Sequence, residues 1–227
     1  VTFTVGPEAL SMVGLDMRPV VEPGLFDLMV GPGSDRTQSV ELAVVGPHGE
    51  TGIAPLPPPP PGSESGLVSD FEAGTVAARY GSWITISDSQ GGGKSTASME
   101  VAGDGANGSR GALRVRGDVV AGAQLAFAGV LFVPGSAPGE AVNLSAKKTV
   151  RFWAKGDGKT YLVALTTESR QNQMPATQPF VAGPEWREYS FPISAFQTDG
   201  RDVTGLGFAQ GQTPGEFELE LDQVEIR

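Results

Sequence analysis

From residue 148 to the C-terminus, apolar and polar positions alternate in four short runs, KTVRFWAKG, TYLVALTT, WREYSFPI and FELELDQVEI, separated by GDG, PATQPFVAGPE and TPGE turns. A period of two predicts half-buried β-strands. In the first run Val150, Phe152 and Ala154 share one face, while Arg151, Trp153 and Lys155 share the other. In the last run Phe217, Leu219 and Leu221 point inward, then Asp222 interrupts and Val224 and Ile226 take over the apolar role. That change of parity predicts a bulge or an internal charged site at Leu221 and Asp222. Further strand-like runs, WITIS, TASMEVAG, GALRVRG, AFAGVLFV and GLGFAQ, recur upstream at the spacing of a β-sandwich. PISAF (192–196) reads as a short helical turn, and no segment offers a long amphipathic helix.

Residues 1–45 hold three more strand-like runs, VTFTV, GLFDLMVG and SVELAVV, with PEALS as a helical turn and VEPG and GPGSD as chain reversals. Three strands cannot cover their own apolar face. This segment is therefore expected to pair with a partner chain or with an N-terminal part that precedes Val1. Residues 46–68 read as a Pro/Gly-rich linker, in which the prolines from Pro57 to Pro61 favour polyproline II and make a semi-rigid spacer of about 3.1 Å per residue. Residues 69–227 form the sandwich proper.

The 32 glycines and 18 prolines suit a turn-rich all-β chain. A net charge of −10 argues against nucleic acid or an anionic membrane surface as partner, because both need a basic footprint. No run approaches the roughly 18 apolar residues of a membrane-spanning helix. Without cysteine there is no disulfide, no thiolate chemistry and no Cys-based zinc site. The chain starts at Val1 inside a strand pattern, so it reads as a fragment of a longer protein, with any signal peptide upstream.

Candidate chemistry is sparse. His48, in the linker, is the only histidine, which excludes a Ser-His-Asp triad and a histidine metal site. GGGKS (91–95) lacks the glycine that a phosphate-binding loop needs at position 88, where Asp88 stands, and GDGANG (103–108) precedes a strand instead of a helix. Glu216, Glu218 and Glu220 share one strand face and read as a solvated row, so no enzymatic activity is expected of this chain alone. A sandwich whose first and last strands adjoin would bring Asp70, Glu72 and Asp222 together, a carboxylate set suited to a structural calcium. For sugar binding, Arg151 and Trp153 on the outer face, with Tyr161 on the following strand, are the expected stacking and hydrogen-bonding platform. The polar loop SRQNQMPATQ is expected to line one end of a groove.

SDFEAG (69–74), YGSWITISDSQGGGKS, RFWAKGDGKTY, EWREYSFPISAF and FELELDQVEI together resemble the complex I intermediate-associated protein 30 domain, which is similar to family 11 carbohydrate-binding modules. The resemblance implies an all-β, galactose-binding-like jelly-roll sandwich, and related modules hold a structural calcium where Asp70, Glu72 and Asp222 would meet. VTFTVGPEALS, MRPVVEPGLFDLMVGPGSD and VELAVV resemble the end of the fibronectin type III-like domain of family 3 glycoside hydrolases. Together these imply the non-catalytic C-terminal region of a secreted bacterial β-glucosidase or exo-β-glucanase, extracellular or periplasmic, whose catalytic part lies upstream. Its sandwich would bind β-glucan or oligosaccharide and hold the enzyme near its substrate. Two other readings stay open: a structural module that packs on the catalytic part or makes a dimer, and a protein-interaction domain.

Overall fold

The computed structural model describes residues 6–13, 19–21, 23–33, 36–45, 58–135, 139–171, 173–211 and 213–227. The expected VTFTV strand and linker residues 46–57, His48 among them, lie outside this set. The chain divides into two units, Val1–Leu56 and Pro57–Arg227. In the first, Pro7–Leu10 forms a 3-10 turn, β1 (Met12–Val13) pairs with β2 (Pro19–Val20), and β3 (Gly24–Gly33) forms a hairpin with β4 (Arg36–Val44). The PEALS turn and the two later strands thus take their expected forms. Leu25, Val40 and Val45 of this unit are exposed.

The second unit supplies β5 (Leu67–Ser69), β6 (Ala77–Ala78), β7 (Gly81–Ser87), β8 (Thr96–Ala102), β9 (Ala112–Val119) and β10 (Ala128–Pro134). It continues with β11 (Thr149–Gly156), β12 (Thr160–Thr167), β13 (Thr177–Val181), β14 (Arg187–Pro192), β15 (Val203–Gln210) and β16 (Gly215–Ile226). They form two antiparallel six-stranded sheets. Sheet I runs β14-β11-β16-β9-β8, with β5 also paired to β16, and sheet II runs β13-β12-β15-β10-β7-β6. Every strand expected from alternation in residues 69–227 is present, and PISAF contains a 3-10 turn at Ile193–Phe196. PATQPFVAGPE is not the turn expected: Thr177–Val181 pairs with β12 as β13, and Phe180 enters the core.

One apolar core joins the sheets, and Phe152 of β11 is its hub. Its ring lies 4.8 Å from Phe208 and 5.0 Å from Phe180, both on sheet II, and stacks at 5.5 Å on Tyr189 of sheet I, centroid to centroid. Val150, Phe152 and Ala154 are fully buried, as the alternation requires. The parity break on β16 is a bulge. Arg151 pairs with Glu225 but Trp153 with Asp222, so Phe152 alone stands against both Gln223 and Val224. Gln223 takes the left-handed region at φ 46° to absorb the extra residue. Leu219, Leu221, Val224 and Ile226 can then all face inward.

The expected linker boundary at residue 68 moves earlier, because the chain from Pro60 onward is built into the sandwich. Pro60 and Ser63 are buried, and the Ile226 amide donates to Gly66 O at 2.7 Å. Gly66 has φ 79°, and a Cβ there would meet the Arg227 Cβ at 2.7 Å. A side chain is excluded at the point where the chain enters beside its own last strand.

Candidate functional site

The outer face of sheet I is a ladder of opposite charges, set by register. Glu218 of β16 lies opposite Arg116 of β9, and Glu220 opposite Arg114. Cross-strand placement turns these into contacts: Arg116 Nε to Glu218 Oε2 is 2.6 Å, and Arg114 Nη2 to Glu220 Oε1 is 2.8 Å. Lys155 of β11 closes on Glu220 from the other side, Nζ to Oε2 at 3.0 Å. The Glu220 side chain is 4% exposed, and its hydrogen bond raises the Arg114 guanidinium above its ordinary value. Further along β11, Arg151 is held by Glu225 at 2.9 Å and Glu188 at 2.6 Å.

A trough crosses this ladder. One concavity of about 530 Å³ lies over Thr96, Arg116, Asp118, Lys159 and Glu216; a second of about 400 Å³ lies over Lys155, Pro184 and Glu220. Asp157 and Glu218 line both, so the two adjoin. A third, about 390 Å³, shares Pro184 with the second and is lined by Trp186, Arg187 and Tyr189 among others. The Trp186 ring sits under Lys155, Nζ 4.9 Å from its centroid, and its Nε1 donates to Asp104 O at 3.1 Å. Asp157 anchors the middle. Burial alone would raise its carboxyl, but hydrogen bonds from Lys159, Tyr161 and the Glu218 amide outweigh that and hold it below the ordinary value.

Of the expected sugar platform, Arg151 and Trp153 do share the outer face, two positions apart on β11, with Trp153 half-buried. Tyr161 does not join them, which corrects the sequence expectation. It lies on sheet II, fully buried, and its hydroxyl donates within reach of Asp157 Oδ1 (2.8 Å) and Glu218 O (2.9 Å). The turn at residues 157–159 carries the chain from one sheet to the other, so the next strand in sequence is not the next strand in the sheet. Burial drives the Tyr161 phenol far above its ordinary range.

The three expected calcium ligands are only partly gathered. Asp222, fully buried at the bulge, accepts from the Ala106 amide at 2.8 Å and the Gln223 amide at 2.6 Å. Burial raises its carboxyl, and the nearby Glu72 charge adds to the rise. Glu72 accepts from the Arg110 amide at 2.8 Å and pairs with Arg110 Nε at 3.1 Å; with the Ser109 hydroxyl foremost, these hold its carboxyl at about 2. Ser109 lies beside both carboxylates. Asp70 stands apart, 3.9 Å from Arg79 Nη2 and accepting the Glu72 amide at 3.3 Å. Among the described residues no three Asp, Glu, His or Cys side chains cluster as a metal would require.

Residues 70–221 match the sequence profile described as Complex I intermediate-associated protein 30 (CIA30), about two thirds of the chain. The chain belongs to the CIA30 family. No curated protein sequence matches it. Among solved structures, the CIA30 sandwich is similar to an exo-β-agarase, with a TM-score of 0.50 and 13% identity over 71% of this chain and 25% of that one. It is also similar to the family 11 carbohydrate-binding module from Clostridium thermocellum, solved with a β-1,3-1,4-mixed-linked tetrasaccharide, with a TM-score of 0.48 and 14% identity over 70% of this chain and 93% of that one. What the likeness to the agarase shows is the fold alone, an all-β sandwich of two antiparallel sheets.

Sequence reasoning missed three features of the CIA30 trough. Trp186 reads as core or rim packing because it precedes its strand, yet it lines the third concavity. Glu220 reads as solvated within its row; only the strands on either side bury it. Asp157 sits in a GDG turn that has no signature of its own.

Proposed function

We propose that the sandwich binds β-glucan or a related oligosaccharide along the trough on sheet I. The observation that carries this reading is the row of adjoining concavities over β8, β9, β16 and the end of β11, the last of them lined by Trp186. It combines carboxylates, guanidinium and ammonium groups that can meet sugar hydroxyls with an aromatic ring at one end. Adjacent strands are spaced about 4.8 Å apart, so the trough spans more than one sugar ring. On this reading the domain is the targeting part of a secreted family 3 glycoside hydrolase, extracellular or periplasmic. The linker ahead of Pro57 would keep the catalytic part at high effective concentration on substrate. Affinity electrophoresis in mixed-linkage β-glucan tests it: wild type should be retarded, and Trp186→Ala should weaken binding at least about tenfold, a loss of ~1.4 kcal/mol. Equal mobility with and without any β-glucan would defeat the reading.

A calcium ion at Glu72 and Asp222 belongs to the same proposal. Glu72, paired with Arg110, and Asp222, which accepts two backbone amides, would supply part of the six to eight oxygens calcium takes, while Asp70 stands apart. If it binds, calcium at a hundredfold excess over its Kd stabilises by about 2.7 kcal/mol. The melting temperature should then rise in calcium and fall in chelator. An identical melting curve in both removes the ion from the proposal.

One observation favours the structural reading instead. Ile84, Ile86, Leu131, Leu162, Ala164 and Ala209 lie half-buried on the outer face of sheet II, an apolar surface suited to packing against a parent catalytic part.

A further inference from the structure

At the end of β12, away from the sheet I trough, lies a separate cavity of about 290 Å³, lined by Thr166, Thr204, Arg170, Gln171, Gln173 and Pro175 among others. Its chemistry differs from that of the trough. No carboxylate lines it, and its polar groups are hydroxyls, amides and one guanidinium. The Thr204 hydroxyl donates to Thr166 Oγ1 at 3.0 Å, which leaves the Thr166 proton free to turn toward a ligand.

Arg170 is the unusual member. Each other arginine of the sandwich has a carboxylate within 3.9 Å, except Arg187, which lies over the Tyr189 ring. Arg170 has no ion pair among the described residues. Its Nη1 donates to Gln197 Oε1 at 2.6 Å, and its Nε is sealed from solvent without an acceptor. A half-buried guanidinium with spare donors and no anion is costly to hold.

The surroundings hold it there nonetheless. Gln197 sits at φ 56°, a strained conformation for a residue with a side chain. The loop carrying Arg170 is pinned by the Ser169 amide on Asp202 Oδ2 (2.7 Å), the Glu168 amide on Asp202 O (3.0 Å) and the Gln173 amide on Arg170 O (2.9 Å). Asp202, the acidic residue nearest in these contacts, thus has one oxygen already committed to the loop.

We propose that this cavity binds one acidic sugar unit, its carboxylate on Arg170 and its hydroxyls on Thr166, Thr204 and the Gln171 and Gln173 amides. With Nε sealed and one Nη1 hydrogen on Gln197, the second Nη1 hydrogen and Nη2 remain to meet a carboxylate end-on, and the neutral donors and acceptors around them suit hydroxyls. The volume is at the small end of ligand pockets, roughly 300 Å³, which favours a single unit over a long chain. The net charge of −10 repels a polyanion at a distance, but screening limits that repulsion to about 8 Å at physiological salt. The inference rests on the sandwich being a carbohydrate binder, yet it is read at different residues and with a different ligand.

Isothermal titration of the full chain with trigalacturonate and with cellotriose tests it, alongside shift mapping by NMR. Trigalacturonate should shift the amides of Arg170, Gln171, Gln173 and Thr204. Arg170→Gln should weaken its binding at least about tenfold with the melting temperature kept, and Arg170→Lys should restore part of it. Should Arg170→Gln fail to fold, Thr204→Val and the wild-type shift map carry the test. Trigalacturonate shifts confined to other residues, unchanged binding by folded Arg170→Gln, or sulfate binding as tightly as trigalacturonate would each overturn the inference. Loss of β-glucan binding with trigalacturonate binding retained would defeat only the trough proposal, and the reverse pattern only this one.

Discussion

Phe152→Ala is expected to lower the unfolding free energy by about 3–5 kcal/mol, the largest single-site loss in the sandwich. The ring belongs to sheet I but rests on Phe180 and Phe208 of sheet II. Its removal therefore empties the layer that joins the sheets, and neighbours locked into the same aromatic cluster have little freedom to collapse into the space. Urea denaturation should show a lower midpoint with an unchanged slope. Trp153→Ala, one residue along but on the outer face, should cost clearly less. Equal losses at the two positions would mean that the alternation along β11 does not separate core from surface.

Asp222→Ala should cost about 2–4 kcal/mol. The carboxylate is fully buried and accepts two amides, Ala106 and Gln223, one fastening the loop after β8 and the other closing the bulge. Each amide left without an acceptor costs roughly 1–3 kcal/mol, partly offset because a desolvated charge disappears with it. Asp222→Asn keeps one acceptor oxygen and should cost less than alanine. Amide hydrogen exchange at Ala106 and Gln223 should accelerate in the alanine variant. If both amides stay as protected as in wild type, the carboxylate is not what holds the loop.

These two residues mark how much of the molecule was legible along the chain. Phe152 could be assigned to the core from the run KTVRFWAKG alone, because a strand packed on one side imposes a period of two. Asp222 announced itself by breaking that period. Tyr161 was misplaced for an equally physical reason: TYLVALTT is apolar on both faces, so alternation could not say which face was the core. Its exchange of sheets across a short turn left no trace in composition. Trp186 and Arg170 were hidden differently, since each depends on a neighbour more than ten residues away, Lys155 for one and Gln197 for the other.

The sequence by itself determined the strands that alternate, the inward residues of those with one apolar face, the parity break at Asp222 and the class of fold, because burial of one face forces a local pattern that such a strand must display. Only the tertiary structure decided which strands adjoin, and with that the ion-pair ladder, the row of concavities with Trp186 in the last of them and the unpaired guanidinium of Arg170. Those depend on register and crossover between distant strands, and no local periodicity records which strand will become the neighbour.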